Sequence, residues 1–185
     1  MRTNFGAKPM MYPMPVLIVA AYDENGKANA MNAAWGGISE EDEITICLSA
    51  GHKTTKNLQV SGAFTVSMAT VETVKACDYV GIVSGNKEPD KMAKAGFTTV
   101  KSEFVNAPII NELPMALECE VKCYDPETCR LTGRIVNVCA EESVLTNGKI
   151  DPEKLNPITF DAANNTYRAI GAKVADAFSC GLSLR

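Results

Sequence analysis

Residues 15–35 read PVLIVAAYDENGKANAMNAAW, and this stretch determines the fold. The apolar run over residues 15–23 predicts a buried strand, and Asn25-Gly26 in the DENGK turn favours a tight hairpin, because such turns need positive φ. The return strand is expected over residues 28–35. Its alanines and asparagines are poor strand formers, so propensity alone does not hold this segment in place. Its small side chains would let a ligand approach closely.

Two further strands are indicated over residues 44–50 and 63–68, where apolar and polar residues alternate. The segment between them, GHKTTKNLQVSG, changes to a helical period and ends at Gly62, a typical helix stop. This unit is therefore strand, loop, helix and strand. Its loop leads into the N-terminus of a helix.

The middle of the chain predicts two helices followed by a strand. A helix is predicted over residues 73–83 and a short one over residues 90–95, with the loop SGNKEP between them and Gly96 as the second stop. Residues 115–123 alternate most clearly and predict a half-buried strand. The side chains expected to face away from the core on this strand are those of Glu118, Glu120 and Lys122.

The rest of the chain predicts a partner strand and a final helix. After the Asp125-Pro126 turn, Gly133 and a shift of apolar parity after Ile135 indicate a bulge or barrel bend. Residues 166–180 carry Tyr167, Ile170, Val174 and Phe178 at helical spacing and predict a terminal amphipathic helix. Hairpins with a few inserted helices favour a mainly β fold, a closed or nearly closed antiparallel barrel, since closure removes exposed sheet edges.

Composition narrows the class of protein. The chain has 185 residues, of which 46% are apolar, and this favours a single folded domain over residues 1–185. A net charge of −4 with interspersed signs argues against nucleic acid as a partner, because no basic stripe is available for a phosphate backbone. The apolar run over residues 16–21 is far shorter than the roughly 20 residues that cross a bilayer. It predicts a buried strand, and no membrane partner is expected.

The seven cysteines are odd in number and form no C-x-x-C pair, which predicts reduced, mostly buried thiols and a cytoplasmic location. Cys119 and Cys123 would lie about 13 Å apart in one strand, too far for a disulfide. No metal site is expected, because His52 is the single histidine and the cysteines are not clustered. Hydrolase triads are disfavoured because no nucleophile motif accompanies that histidine.

One segment carries a binding pattern: SAGHKTTKN, residues 49–57, where a strand ends and a helix begins. Unpaired N–H groups at the helix N-terminus, together with Lys53, the hydroxyls of Thr54 and Thr55 and the Asn57 amide, suit a phosphate dianion. The alternative is that Thr54 or Thr55 simply caps the helix. This segment alone leaves both possibilities open.

Three blocks in order carry a family resemblance. They are ANAMNAAWGGI (residues 28–38), residues 53–67 with K-T-x-x-N-L followed by G-A-F-T-V-S, and SGNKEPDKM (residues 84–92), the last leading through Gly96-Phe97 and APIINE to the LEC strand. Together these blocks resemble the flavin reductase-like, FMN-binding split-barrel family, which includes flavoredoxins. The resemblance spans most of the chain and implies an antiparallel split β-barrel.

The resemblance also implies where FMN would bind. In that family the first block runs beneath the isoalloxazine ring, the second forms the phosphate and ribityl loop, and the third lies near the exposed face of the ring. The residues implied here are Met31, Asn32, Ala33, Ala34 and Trp35, then Ser49, His52, Lys53, Thr54 and Asn57, and finally Ser84, Gly85 and Lys91. Trp35 is equally consistent with a core or dimer-interface aromatic, and the side chain that meets the phosphate stays open.

The activity implied by the resemblance is electron transfer through FMN. Hydride would pass from NADH or NADPH to the flavin, and electrons would pass on to a second flavin or an electron-carrier protein. Relatives are usually homodimers with FMN near the interface. One alternative is a flavoredoxin-type electron carrier without NAD(P)H activity. The other is a non-redox module that holds FMN or another phosphate compound.

Overall fold

The chain folds around the predicted hairpin. The structure, a computed structural model, describes residues 1–185. Strand β1 (Leu17–Tyr22) pairs antiparallel with β2 (Ala28–Ala33). Gly26 takes the left-handed conformation with φ +75°, whereas Asn25 does not. The predicted turn is therefore confirmed, with one positive-φ residue in place of two.

The remaining elements follow in chain order. The strands are β3 (Gly36–Glu40), β4 (Glu43–Cys47), β5 (Ala63–Met68), β6 (Thr99–Lys101), β7 (Pro108–Ile110), β8 (Met115–Asp125), β9 (Arg130–Ala140), β10 (Leu145–Thr146), β11 (Lys149–Ile150), β12 (Ile158–Asp161) and β13 (Thr166–Ala169). The helices are α1 (Lys53–Ser61), α2 (Val74–Ile82), α3 (Lys91–Ala95) and α4 (Pro152–Leu155), with 3-10 helices at Glu142–Val144 and Cys180–Leu184. The elements predicted from residue 44 to residue 123 are confirmed to within a few residues.

Seven strands form one antiparallel sheet in the order β2-β1-β5-β8-β9-β4-β3. Its two edge strands, β2 and β3, are joined by Ala34 and Trp35 alone, a link that spans at most about 11 Å between strand ends. A flat sheet of seven strands would hold its edges about 29 Å apart at the usual spacing. The sheet therefore curls until its edges meet at this link, which confirms the predicted nearly closed barrel.

The curled sheet buries apolar residues on both of its faces. Leu17, Val19 and Ala21 of β1 point into the barrel interior, within a cluster of 14 buried residues. Ile18 and Ala20 point the other way, into a cluster of 11 buried residues beneath α2 and the β12–β13 hairpin. Burial on both faces explains why this strand is continuously apolar instead of alternating.

Glycine ends two of the helices as predicted. Gly62, with φ +71°, follows α1 and donates its N–H to the carbonyl of Leu58. Gly96, with φ +77°, follows α3 and donates to Met92 and Ala93. Because L-residues with a Cβ rarely adopt this conformation, these glycines set the helix lengths.

The long β8–β9 ladder contains the predicted bulge. Its register shifts opposite Cys119, so that Val136 has no partner on β8. One prediction for this ladder is wrong: Glu118 does not face solvent but is 1% exposed. Its carboxylate accepts hydrogen bonds from Ser102 and, at 2.6 Å, from the Asn137 amide. Polar partners on a neighbouring loop and strand satisfy the carboxylate, and alternation along β8 could not reveal them.

The predicted C-terminal helix over residues 166–180 is wrong. Residues 166–169 form β13, which pairs with β12, and no helix follows before the short turn at Cys180–Leu184. Asn165, with φ +52°, makes the hairpin turn. Side chains expected on one helical face diverge, since Tyr167 is half-buried while Val174 and Phe178 are fully exposed. Turn chemistry at Asn164-Asn165 outweighed the apparent helical period.

Asp161 holds this hairpin to the N-terminal segment. Its buried carboxylate accepts hydrogen bonds from the Tyr12 hydroxyl at 2.6 Å, from the Asn164 side chain at 2.8 Å and from Arg168 at 3.3 Å. The hydrogen bond from Tyr12, followed by that from Asn164, holds the pKa of Asp161 well below its usual range. The carboxylate therefore stays ionised and joins residues that are 149 positions apart.

The thiols are less buried than predicted. All seven cysteines are free, but only Cys77 and Cys119 are buried, whereas Cys47, Cys123 and Cys180 are exposed. Burial raises the pKa of Cys77 to about 11 and that of Cys119 to about 12. No helix in the structure combines the length and apolar character that a membrane crossing requires.

A glycine in β9 predicts a test of barrel packing. A Cβ at Gly133 would lie 2.3 Å from the ring of Phe64, a fully buried side chain. We expect Gly133→Ala to lower the free energy of unfolding by about 1–3 kcal/mol, because overpacking displaces that ring. Urea unfolding followed by circular dichroism measures this change. The control is Gly37→Ala, whose added methyl meets nothing within 4 Å. Equal midpoints for the two variants would contradict the packing.

Candidate functional site

Eight of the predicted site residues surround one cavity of about 240 Å³ between β2, the N-terminus of α1 and the C-terminus of α2. We call this cavity the first compartment. The predicted residues that line it are Met31, Asn32, His52, Lys53, Thr54, Ser84, Gly85 and Lys91. Residues from all three sequence blocks therefore meet in space.

The N-terminus of α1 forms one wall of this compartment. No side chain caps the helix, and no acidic residue lies in its first turn. The interpretation of Thr54 or Thr55 as a cap is therefore wrong, since His52 occupies the cap position. The first N–H groups of a helix have no partner within it. An anion at this wall would meet these N–H groups and the positive end of the helix dipole.

The two threonines of this turn are both buried. Thr54 accepts a hydrogen bond from the side-chain amide of Asn29 at 2.6 Å, which ties α1 to β2. The hydroxyl of Thr55 is buried without a hydrogen-bond partner. Lys53 pairs with Asp23 at 3.4 Å, so the turn after β1 also contacts the start of α1.

Asn29 lines the candidate site but was not among the residues predicted from the sequence. It is 7% exposed and lines the first compartment beside Thr54. A Cβ at Gly85 would lie 2.3 Å from its side-chain oxygen, and one at Gly81 would lie 2.9 Å from Asn32. Glycines at these positions let α2 and the following loop approach β2. The available signal was that Asn29 belongs to the same small, polar strand block as Asn32.

Lys91 forms the far wall of the compartment. It is 3% exposed, and its ammonium donates to the carbonyls of Val80 at 3.0 Å and Val83 at 2.9 Å. Burial lowers the pKa of Lys91 to about 8. The side chain thus ties α3 to the C-terminal end of α2.

A second compartment of about 230 Å³ adjoins the first and shares Asn32, Gly81 and Ile82 with it. Its walls are mostly apolar and include the predicted residue Ala34. Phe160 and Tyr167 of the β12–β13 hairpin form one side. Neither residue was predicted: the segment that contains Tyr167 was expected to be helical, and no element was predicted for the segment that contains Phe160.

A hydrogen-bonded pair lies in the second compartment. The Tyr167 hydroxyl donates to the carboxylate of Asp78 at 2.7 Å. Burial and this hydrogen bond raise the pKa of Tyr167 to about 12, and the nearby Asn32 amide opposes the rise. The phenol therefore remains a hydrogen-bond donor at neutral pH.

Four predicted residues line neither compartment. Ala33 packs in the barrel interior, and Trp35, 59% exposed, lies at the link between the sheet edges. Ser49 is exposed, and its carbonyl accepts from the N–H of His52 at 3.1 Å. Asn57 is buried and donates to the carbonyl of Ala21 at 3.4 Å. Asn57 thus holds α1 against β1 instead of facing the compartment.

Together the compartments suit an elongated molecule with an anionic group at one end and a flat, mostly apolar group at the other. The first offers helix N–H groups, Lys53 and His52. The second offers apolar walls with an amide and a carboxylate. No three His, Cys, Asp or Glu side chains come together in a metal-binding arrangement.

Comparison with known proteins gives a consistent result. The model of the flavin reductase like domain matches residues 10–155. The structure of flavoredoxin from Desulfovibrio vulgaris (Miyazaki F) is 36% identical and superposes with a TM-score of 0.93, covering 98% of this chain and 100% of that one. Flavoredoxin from Methanosarcina acetivorans is 28% identical with a TM-score of 0.86, covering 100% and 98%. An FMN-binding domain of flavin reductases-like enzyme from Shewanella baltica, 20% identical with a TM-score of 0.77 and 88% coverage of both chains, shares the fold.

The buried lysine predicts a pH dependence of stability. Because the pKa of Lys91 is lower in the folded chain than the ordinary 10.5, the unfolded chain binds more protons between these values, so stability rises with pH there. We expect the free energy of unfolding of wild type, relative to Lys91→Met, to increase from pH 8 to pH 10.5 by at most about 1.4 kcal/mol per pH unit. Urea unfolding of both proteins across this range measures the difference.

The matched control is Lys75→Met, which removes an exposed lysine from α2. The difference in free energy of unfolding between this variant and wild type should not change with pH over the same range. If the difference in free energy of unfolding between wild type and Lys91→Met is also independent of pH, burial does not disfavour the charged form of Lys91.

Proposed function

The chain belongs to the flavin reductase like family, and on that premise we propose that it is an oxidoreductase that binds FMN across the two compartments and passes electrons through it. The observation that carries the proposal is the hydrogen bond between Asn29 and Thr54. It joins the strand expected beneath the flavin ring to the helix expected to hold the phosphate. Both halves of the implied FMN site are thereby held in one place.

The residues present fit such a cofactor. The open N–H groups of the first α1 turn, with Lys53 and His52, would hold the phosphate. The unpartnered hydroxyl of Thr55 beside them is a buried polar group in need of a partner. Met31, Asn32 and Ala34 would lie against the ring, whereas Ala33 and Trp35 line neither compartment. Ser84, Gly85 and Lys91 would close the opposite side of the first compartment.

FMN, when bound, supplies the hydride and electron transfer. The chain's own residues bind and orient it and exclude water from one side. Asn29 and Asn32 present amides to the polar parts of the ligand, and Phe160 covers the apolar part. Ser49 and Asn57 would position the site without contacting the ligand. Ser49 holds the loop before α1, and Asn57 fixes α1 on β1.

Two electron sources are compatible with this site. In the first, NADH or NADPH delivers hydride to FMN, and the reduced flavin passes electrons to a second flavin or a protein acceptor. In the second, the protein is a flavoredoxin-type carrier that a partner protein reduces. Full-length similarity to a flavoredoxin at 36% identity supports this second function.

We also propose a homodimer in the cytoplasm. Exposed apolar side chains on strands β3 and β9, among them Ile38 and Val138, support a surface that a second copy covers. Seven free thiols support a reducing compartment. Analytical ultracentrifugation tests the dimer, and a monomer at micromolar concentration would contradict it.

Thr54→Val tests the FMN site. We expect it to weaken FMN binding about tenfold or more, because it leaves the Asn29 amide without its acceptor and removes a hydroxyl beside the phosphate wall. Titration of FMN fluorescence measures the dissociation constant. Thr54→Ser should restore binding. Thr45→Val, which changes a half-buried threonine of β4 that lies outside both compartments and donates to Ser39, should bind FMN as wild type does. Equal binding by Thr54→Val and Thr45→Val would contradict the assignment.

Anaerobic mixing of the FMN-loaded protein with NADH or NADPH separates the two electron sources. A flavin reductase should lose its visible flavin absorbance within one turnover and should consume the nicotinamide continuously when free flavin is added. A carrier should be reduced by dithionite but not by either nicotinamide. Wild-type protein that binds no FMN would contradict both functions and would leave a non-redox module for another phosphate compound.

A further inference from the structure

Asp78 and Tyr167 form a pair to which the FMN assignment gives no role. Asp78 lies on α2 and Tyr167 on β13, and their side chains meet in the second compartment. Asp78 is the single charged residue that lines this compartment. The other lining side chains include Val16, Ile82 and Phe160. A lone carboxylate among apolar walls exerts a stronger field than one in water.

The pair adjoins the region assigned to the flavin ring. The second compartment shares Asn32, Gly81 and Ile82 with the first, and Asn32 lies against the Tyr167 hydroxyl. One oxygen of Asp78 accepts from Tyr167, and no protein donor contacts the other. Half of the carboxylate is therefore available to act on a ligand.

We propose that this pair sets the reduction potential of the bound flavin: Asp78 disfavours the reduced ring, and the Tyr167 hydroxyl moderates that effect. The inference rests on the proposed FMN function. It assigns a role to two residues that the family resemblance leaves without one. Tyr167 also lies outside the segment that the family model matches, residues 10–155. The moderating group is thus supplied by the C-terminal hairpin.

The physical basis is a change of charge. Addition of two electrons and one proton to the oxidised ring lowers its net charge by one. A carboxylate nearby repels that added charge and so lowers the affinity for reduced FMN relative to oxidised FMN. A hydroxyl that donates to the carboxylate draws its charge away from the ring and weakens the repulsion.

Two substitutions should therefore shift the potential in opposite directions. In Asp78→Asn, the affinity for reduced relative to oxidised FMN should rise about tenfold, which corresponds to a potential about 30 mV more positive for a two-electron couple. In Tyr167→Phe, the same ratio should fall about threefold, because the carboxylate loses its donor. The double variant should match Asp78→Asn, since the phenol then has no charge to moderate.

The experiment uses the full chain loaded with FMN. Oxidised FMN affinity is measured by fluorescence titration, and the midpoint potential is measured by anaerobic reduction with dithionite against a reference dye. The control is Glu142→Gln, which removes an exposed carboxylate of the first 3-10 helix that lines neither compartment. Its potential should equal that of wild type. Circular dichroism checks the fold of each variant, and if Asp78→Asn does not fold, the sign of the shift in Tyr167→Phe decides.

The outcomes are distinct. Opposite shifts in the two single variants support the pair as a potential-setting element. Normal FMN binding with potentials unchanged in both variants, or shifted in the same direction, overturns this inference and leaves the FMN function standing. Failure of wild type to bind FMN overturns both.

Discussion

The link of two residues between the sheet edges is the constraint on which the rest of the structure depends. Strands β2 and β3 are neighbours in sequence but lie at opposite ends of a seven-stranded sheet. Ala34 and Trp35 are too short a link to span a flat sheet of this width. The five strands that lie between β2 and β3 in the sheet must therefore curl into a barrel. The apolar residues of β1 face two interiors as a result. One interior is the barrel, and the other is covered by α2 and the β12–β13 hairpin.

The site lies outside the barrel, along β2 at this seam. Its geometry depends on small residues, because Gly81 and Gly85 bring α2 and its following loop against the asparagines of β2. Lys91 then fixes the end of α2 through two carbonyls, and the amide of Asn29 fixes the start of α1. These hydrogen bonds hold the ends of both helices where an anion would be bound. The compartments are apolar where a flat ring would be held.

Local signals were sufficient for most of the fold, whereas most of the candidate site residues were implied by the family resemblance of the three sequence blocks. Alternation found β5 and β8, and glycine stops found the ends of α1 and α3, because these features depend on neighbouring residues. Glu118 could not be placed from sequence, since its partners Ser102 and Asn137 come from other elements. The C-terminal hairpin was missed because its apolar spacing imitates a helix, whereas Asn165 turns the chain back. The inward position of Asn57 likewise depends on β1, and its spacing within α1 does not reveal it.

The contribution of the C-terminal hairpin to the second compartment affects the order of events during synthesis. All strands of the barrel are present once residue 140 has left the ribosome, but Phe160 and Tyr167 follow later. The Asp161 carboxylate that anchors their hairpin also accepts a hydrogen bond from Tyr12, 149 positions earlier in the chain. A nascent chain can therefore complete its barrel while one wall of the compartment is still missing, and domains begin to fold before synthesis ends. A ligand of this compartment is enclosed only once this hairpin has been made, after all strands of the barrel.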